Sequence, residues 1–102
     1  MKFTVKNKKK HNITTLIRAI GYRYLGEDED RKEIKLVRPL EIGGYPRFHL
    51  FLKTEPKNQE FLFNLHLDQR KPVYKGAPAH AADYEGEAVE REAERIKQIL
   101  EK

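Results

Sequence analysis

Two neighbouring segments with alternating apolar residues constrain the fold of this chain more than any other feature. Apolar side chains occupy every second position of residues 47–54 and again of residues 59–68. The sets are Phe48, Leu50 and Leu52 in the first segment and Phe61, Phe63, Leu65 and Leu67 in the second. A period of two places alternate side chains on one face of a β-strand. Residues 55–58 between them (Glu-Pro-Lys-Asn) are typical of a turn with proline at its second position, so the pattern predicts an antiparallel hairpin.

The two apolar sets also narrow the possible registers of this hairpin, without fixing the register at Arg47 and Asp68. The two sets lie on the same face only if the numbers of each pair of opposed residues add up to an odd value. If they add up to 115, His49 is opposite His66 on the other face. The same register pairs Arg47 with Asp68 on that face. Directly opposed Cβ atoms lie about 4.5–5.5 Å apart, so the two imidazoles would be neighbours. A slip of one residue would separate them.

Other apolar patterns predict the remaining elements. Residues 2–6 and 33–40 alternate in the manner of strands, and residues 27–32 are charged in the manner of an exposed loop. A first helix is expected from the N-cap Asn12 to near Gly26, with the apolar stripe Ile13, Leu16, Ile17, Ile20 and Tyr24. A second helix is expected over residues 85–100, with the stripe Val89, Ala93, Ile96 and Leu100.

These elements predict an α+β fold. We expect a single small domain over residues 1–102, in the order α-β-β-β-α with a short N-terminal strand first, and an antiparallel sheet packed against both helices. Ile17 and Ile96 should be buried against the apolar face of the hairpin. Residues 1–11 form a basic N-terminal segment that we expect to be partly flexible.

Missing residue types exclude several classes of function. The chain has no cysteine and no serine, which excludes disulfides, thiolate nucleophiles, cysteine-ligated zinc and serine hydrolases. The six glycines form neither a dinucleotide-binding nor a Walker motif. No apolar run approaches the ~20 residues of a membrane span, so we expect a cytoplasmic protein without a membrane partner. The charged fraction of 36% together with a single methionine indicates a thermophile composition.

Charge is distributed unevenly along the chain, which carries a net charge of +5. Residues 1–24 contain seven Lys or Arg and no acid, whereas residues 83–102 contain seven acids and four bases. Basic clusters with interspersed aromatics suit a nucleic acid or another acidic partner. The predicted nucleic-acid-binding residues are Lys8, Lys9, Lys10, Arg18, Arg23, Arg47, Arg70, Lys71, Tyr74 and Lys75. The alternative interpretation is a basic surface that is merely solvated.

Histidine and aspartate residues suggest a second class of function. His66 and Asp68 share a strand face, and His80 and Asp83 lie in the long segment of residues 69–84, which can return over that face. His66, Asp68, His80 and Asp83 are therefore candidate ligands of a divalent metal such as zinc or manganese. His66, His80, Asp68 and His49 are the candidate catalytic residues of a metal-dependent or acid–base phosphodiesterase or nuclease. The structural alternative is a set of hydrogen bonds that holds the loop.

A third class of function is a protein–protein interaction module. In that case the polar sheet face would contact a protein partner or a second copy of the chain. An exposed apolar patch, or dimerisation through an edge strand, would favour it over the other two classes.

The order of elements is similar to that of double-stranded-RNA-binding domains and of HicA-type toxins. In the RNA-binding family the last helix begins with a lysine cluster, whereas the matching residues 87–90 here read Glu-Ala-Val-Glu. HicA-type toxins carry a catalytic histidine on the second strand after a glycine-containing turn, and His49 follows Gly44 in this way. That resemblance implies ribonuclease activity with His49 as a catalytic residue. Residues 64–69, 79–80 and 84–86 also resemble small bacterial proteins of unassigned function.

Overall fold

A computed structural model describes residues 1–69, 82–83 and 86–101, and arranges them as one antiparallel sheet with two helices on one of its faces. The strands are β1 (Lys2–Lys6), β2 (Arg23–Asp28), β3 (Glu33–Pro39), β4 (Arg47–Glu55), β5 (Glu60–Asp68) and β6 (Ala82–Asp83). The helices are α1 (Ile13–Ile20) and α2 (Glu87–Glu101). The predicted α+β class, with an antiparallel sheet packed against two helices, is confirmed.

The sheet combines neighbouring and distant segments of the chain. Strands β2 to β5 are neighbours in chain order, and β1 joins them beside β5 to give the order β1-β5-β4-β3-β2. Along β5, β1 pairs with residues 60–64, and β6 pairs with Leu67 and Asp68. The two strands therefore follow one another along the same edge of β5, since β4 occupies its other edge.

The structure settles the register of the hairpin, which the sequence left open. Across β4 and β5, Leu50 pairs with Leu65, His49 pairs with His66 and Arg47 pairs with Asp68. This register places the apolar sets of both strands on the face that the helices cover, which we call the inner face. Burial of the whole apolar set fixes the pairing, because a slip of one residue would turn it toward the opposite side. We call this other face of the sheet, which the helices do not cover, the outer face.

The core lies between the inner face and the helices. All four residues of the predicted α2 stripe are buried, and so are Leu16 and Ile20 of α1. Ile96 is fully buried, as expected, whereas Ile17 is only partly buried and lies at the edge of the core. The buried side of α1 is therefore centred on Leu16 and Ile20, one position away from the predicted centre.

The predicted extent of the first helix is wrong. Asn12 caps it as expected, with its Oδ1 accepting a hydrogen bond from the Thr15 N–H at 2.8 Å. The helix ends at Ile20, however, because Gly21 adopts a left-handed conformation (φ 80°) and its N–H donates to the carbonyls of Ile17 and Arg18. The chain then turns into β2, which contains Tyr24 and the first two residues of the predicted 27–32 loop. The sequence-based order thus lacked two strands of the sheet, β2 and the short β6.

A buried carboxylate that the sequence did not reveal joins α2 to the rest of the fold. Glu92 is only 4% exposed and accepts hydrogen bonds from Tyr22 Oη (2.6 Å), Arg38 Nη1 (3.1 Å) and Arg95. Arg95 binds both carboxylate oxygens, at 2.8 and 2.9 Å. It also donates to the Ile20 carbonyl at the end of α1, at 2.5 Å. We call this group the Glu92 clasp.

Among the described residues, no helix combines the length and the apolar character that crossing a membrane requires.

Candidate functional site

Four polar residues of the central hairpin lie together on the outer face of the sheet. Arg47 and His49 are on β4, and His66 and Asp68 are directly opposite on β5. Their positions follow from the alternation, since the residues between them point into the core. We call His49, His66, Asp68 and Arg47 the outer cluster.

The carboxylate of Asp68 is the centre of the outer cluster. Its Oδ1 lies 3.1 Å from His66 Nε2, and its Oδ2 accepts a hydrogen bond from Arg47 Nε at 3.4 Å. His49 Nδ1 is 3.7 Å from the same Oδ2. The two imidazole rings are 4.8 Å apart, and Phe51 stacks on His49 at 4.5 Å. One carboxylate is therefore bordered by two imidazoles and one guanidinium.

Burial favours the neutral form of both imidazoles. Burial lowers the pKa of His49 to about 4, and the nearby His66 lowers it further against the opposing effect of Asp68. Burial also lowers the pKa of His66, while the Asp68 charge and hydrogen bond oppose that shift. A neutral imidazole keeps a lone pair on one ring nitrogen. Among the described residues, the buried His49 Nε2 has no hydrogen-bond partner.

The outer cluster offers the donor atoms of a metal site or of an acid–base pair. One nitrogen or oxygen atom each from His49, His66 and Asp68 all lie within 4.8 Å of one another. Imidazole nitrogen together with carboxylate oxygen is a donor set that divalent transition metals accept. Without a metal, a neutral imidazole can take a proton while Asp68 orients it.

The structure assembles part of the predicted His/Asp site. His66 and Asp68 are in contact, and His49, which the sequence placed among the catalytic candidates only, completes the group. His80 lies outside the described residues, so its approach to His66 stays a prediction. For Asp83 only the backbone is described, and it pairs with Leu67. That pairing brings this part of the chain beside Asp68.

The register also arranges basic residues around the outer cluster. One row across the sheet contains Arg23, Val37, His49 and His66, and the next contains Gly26, Lys35, Phe51, Asn64 and Lys2. These two central rows hold three bases and no acid. A groove of about 790 Å³ on this side is lined by the bases Lys2, Arg31 and Lys53 and by one acid, Glu33, together with Phe51 and Asn64, among others. Lys2, Lys35 and Lys53 were not predicted as binding residues, although their alternate positions on strands indicate their face.

The other predicted nucleic-acid-binding residues are dispersed. Lys8, Lys9 and Lys10 follow β1 at the end of the sheet near the β4–β5 turn, where the Asn7 N–H donates to the Gln59 carbonyl at 2.7 Å. Arg18 is exposed on α1, on the side of the helices. Arg70, Lys71, Tyr74 and Lys75 lie outside the described residues. Of the predicted nucleic-acid-binding residues that the structure describes, the outer face therefore carries Arg23 and Arg47.

Comparisons of the chain with protein-family models, with curated proteins and with solved structures give no significant match.

Proposed function

We propose that the protein binds single-stranded nucleic acid through the outer face of its sheet. The observation that carries this proposal is the composition of the two central rows, where Arg23, Lys35 and Lys2 occur without an acidic residue. Lysine and arginine side chains neutralise phosphates and release condensed counterions, which favours association with a polyanion. The outer face thus offers a nucleic acid a positively charged strip.

An aromatic side chain lies in the middle of this strip. Phe51 is half-buried, directly opposite Lys35, with His49 stacked against it. Strands lie about 4.8 Å apart, so the row from Lys35 to Lys2 spans three intervals, about 14 Å. Unpaired bases stack on aromatic rings while cations contact the backbone. This combination favours a single strand over a duplex, whose bases are already stacked.

The salt dependence of binding tests the proposal. Fluorescence anisotropy would measure the affinity of a labelled single-stranded oligonucleotide for the wild type and for the double variant Arg23→Gln/Lys35→Gln. Loss of two phosphate contacts should weaken binding and flatten the slope of log K against log salt by about 1.4, at about 0.7 per contact on single strands. The control is Arg18→Gln/Arg91→Gln, which removes the same charge from the two helices.

Two results would contradict the proposal. Equal weakening by the outer-face pair and the helix pair would mean that only net charge matters. No measurable binding by the wild type at low salt would exclude a nucleic-acid partner.

A triple Ala variant of Lys8, Lys9 and Lys10 tests whether the binding surface extends to these three residues. An unchanged affinity and an unchanged salt slope would place these lysines outside the interface.

The outer cluster favours a second candidate function, the cleavage of a phosphodiester. A neutral imidazole of His49 or His66 can act as the general base beside Asp68, and Arg47 can stabilise an anionic phosphate. General acid–base catalysis contributes typically about 10²–10⁴-fold to a rate. Cleavage of a labelled oligonucleotide should therefore fall by about that factor in His49→Gln and in His66→Gln, with binding retained. Absence of cleavage by the wild type, with or without added divalent metals, would contradict this candidate.

A further inference from the structure

We infer that His49, His66 and Asp68 together bind one divalent transition-metal ion, and that Zn²⁺ suits the site best. This inference does not depend on nucleic-acid binding. It also differs from the metal site expected from the sequence, because His49 supplies a ligand from the neighbouring strand β4. The site is therefore formed by His49 and His66, which are opposite each other on neighbouring strands, and by Asp68, which lies two positions after His66.

The distances fit a tetrahedral ion. Ligand bonds of about 2.0–2.1 Å place tetrahedral ligand atoms about 3.3 Å apart. His66 Nε2 is 3.1 Å from Asp68 Oδ1, and His49 Nδ1 is 3.7 Å from Asp68 Oδ2. The widest separation in the three-atom group is 4.8 Å or less. Rotation of side chains on the fixed hairpin register can close that difference without moving the backbone.

The donor atoms select the class of metal. Two imidazole nitrogens and one carboxylate oxygen suit zinc and the later divalent metals, whereas Mg²⁺, Ca²⁺ and Mn²⁺ favour oxygen ligands. Three protein ligands leave a fourth tetrahedral position open, which is the arrangement of catalytic zinc sites.

One neighbour of the site supports an incoming cation. Arg47, whose side chain is 24% exposed, neutralises Asp68 in the metal-free protein. It can turn toward solvent when an ion takes over that role, so that the charge of the site rises by less than the full charge of the ion.

Titration of the metal-stripped full chain tests the inference without any nucleic acid. Competition with a chromophoric chelator would give the affinity for Zn²⁺, and the visible spectrum of bound Co²⁺ would report nitrogen and oxygen ligands in tetrahedral geometry. We expect one equivalent of Zn²⁺. Loss of an outer-shell partner alone costs about 10–100-fold in affinity, so His49→Gln and Asp68→Asn should each cost about 100-fold or more. His11→Ala, which removes a histidine from the loop before α1, should change nothing.

A measurement on the wild type keeps the test valid if a variant unfolds. In ¹⁵N-resolved NMR spectra, Zn²⁺ should shift the ring nitrogens of His49 and His66 and leave those of His11 in place. No Zn²⁺ binding by the wild type would overturn the inference. Unchanged affinity in a folded His49→Gln variant would also overturn it, and so would shifts confined to His11 and His80.

Discussion

Two carboxylates withdrawn from solvent, Glu92 and Asp68, are surrounded in opposite ways. Glu92 accepts four hydrogen bonds from three side chains, at 2.6 to 3.1 Å, and two of those side chains are guanidinium groups. Asp68 has one guanidinium at 3.4 Å and two imidazoles at 3.1 and 3.7 Å. The Glu92 clasp links distant segments of the chain, whereas the outer cluster lies on a single hairpin.

The difference shows how the same functional group can serve stability in one place and chemistry in another. At Glu92 every partner is a donor that keeps its proton, and burial together with the carboxylate raises the pKa of Tyr22. Because these donors keep their protons and lie at short distances, they hold the Glu92 carboxylate in one arrangement. At Asp68 the partners include two neutral imidazoles, which can take up a proton or ligate an ion. The side chains of the outer cluster can therefore exchange their contacts with one another for contacts with a proton or an ion.

The largest expected effect is that of Glu92→Gln on stability. The substitution removes the charge that compensates Arg38 and Arg95, both about one-third exposed, and leaves buried donors without a full partner. We expect a loss of about 3 kcal/mol in the free energy of unfolding, measured by urea denaturation. Glu94→Gln, on the exposed side of the same helix, is the control and should stay within about 0.5 kcal/mol of the wild type. A similar loss in both variants would mean that the clasp does not hold α2.

Asp68→Asn should destabilise the protein less, by about 1 kcal/mol. It weakens the contact with Arg47 and the contact with His66, but Arg47 can reach solvent and the imidazoles carry no charge to leave uncompensated. The same urea denaturation would measure it. A loss as large as that of Glu92→Gln would make the outer cluster a second structural clasp and remove the contrast between the two carboxylates.

The smallest expected effect is the contribution of His49 to the pH dependence of stability. Its pKa is about 4 in the folded protein and near 6.5 when unfolded. Between these values the unfolded chain binds more protons, so this residue makes the folded state less stable as the pH falls from 6.5 to 4. Thermal unfolding with a chelator present should therefore show a steeper fall for the wild type than for His49→Gln. Parallel curves would indicate an imidazole that protonates freely in the folded state.

Local pattern is sufficient to predict the hairpin that carries the outer cluster. The apolar sets of residues 47–54 and 59–68 fix which face is buried, and they place His49 and His66 on the opposite face; alternation alone leaves a slip of two residues open, and the structure selects the register that pairs the two histidines. Alternation places Asp68 on that face as well, because it lies two positions from His66 on the same strand. The pattern could not show that Asp68 lies within 3.7 Å of both imidazoles, since this depends on rotamers and burial.

Elements that depend on distant contacts are harder to predict. Tyr24 continues the spacing of the α1 stripe, so the sequence favours a longer helix, and only the left-handed conformation of Gly21 separates α1 from β2. Glu92 resembles the other acids of α2 in sequence. Its burial depends on Tyr22 and Arg38, which lie 70 and 54 positions away, and periodicity within one segment carries no information about such partners.

The order of strands in the sheet has a consequence for how the protein folds. Strands β2 to β5 each pair with the next in the chain, so their association closes only short loops and costs little chain entropy. The pairing of β1 with β5 and the contacts of Glu92 must instead bring distant segments together. The meander that carries His49 and His66 can therefore form early, and the ends of the chain then close around it. On this route we expect the outer cluster to acquire its geometry early and the Glu92 clasp to be completed last.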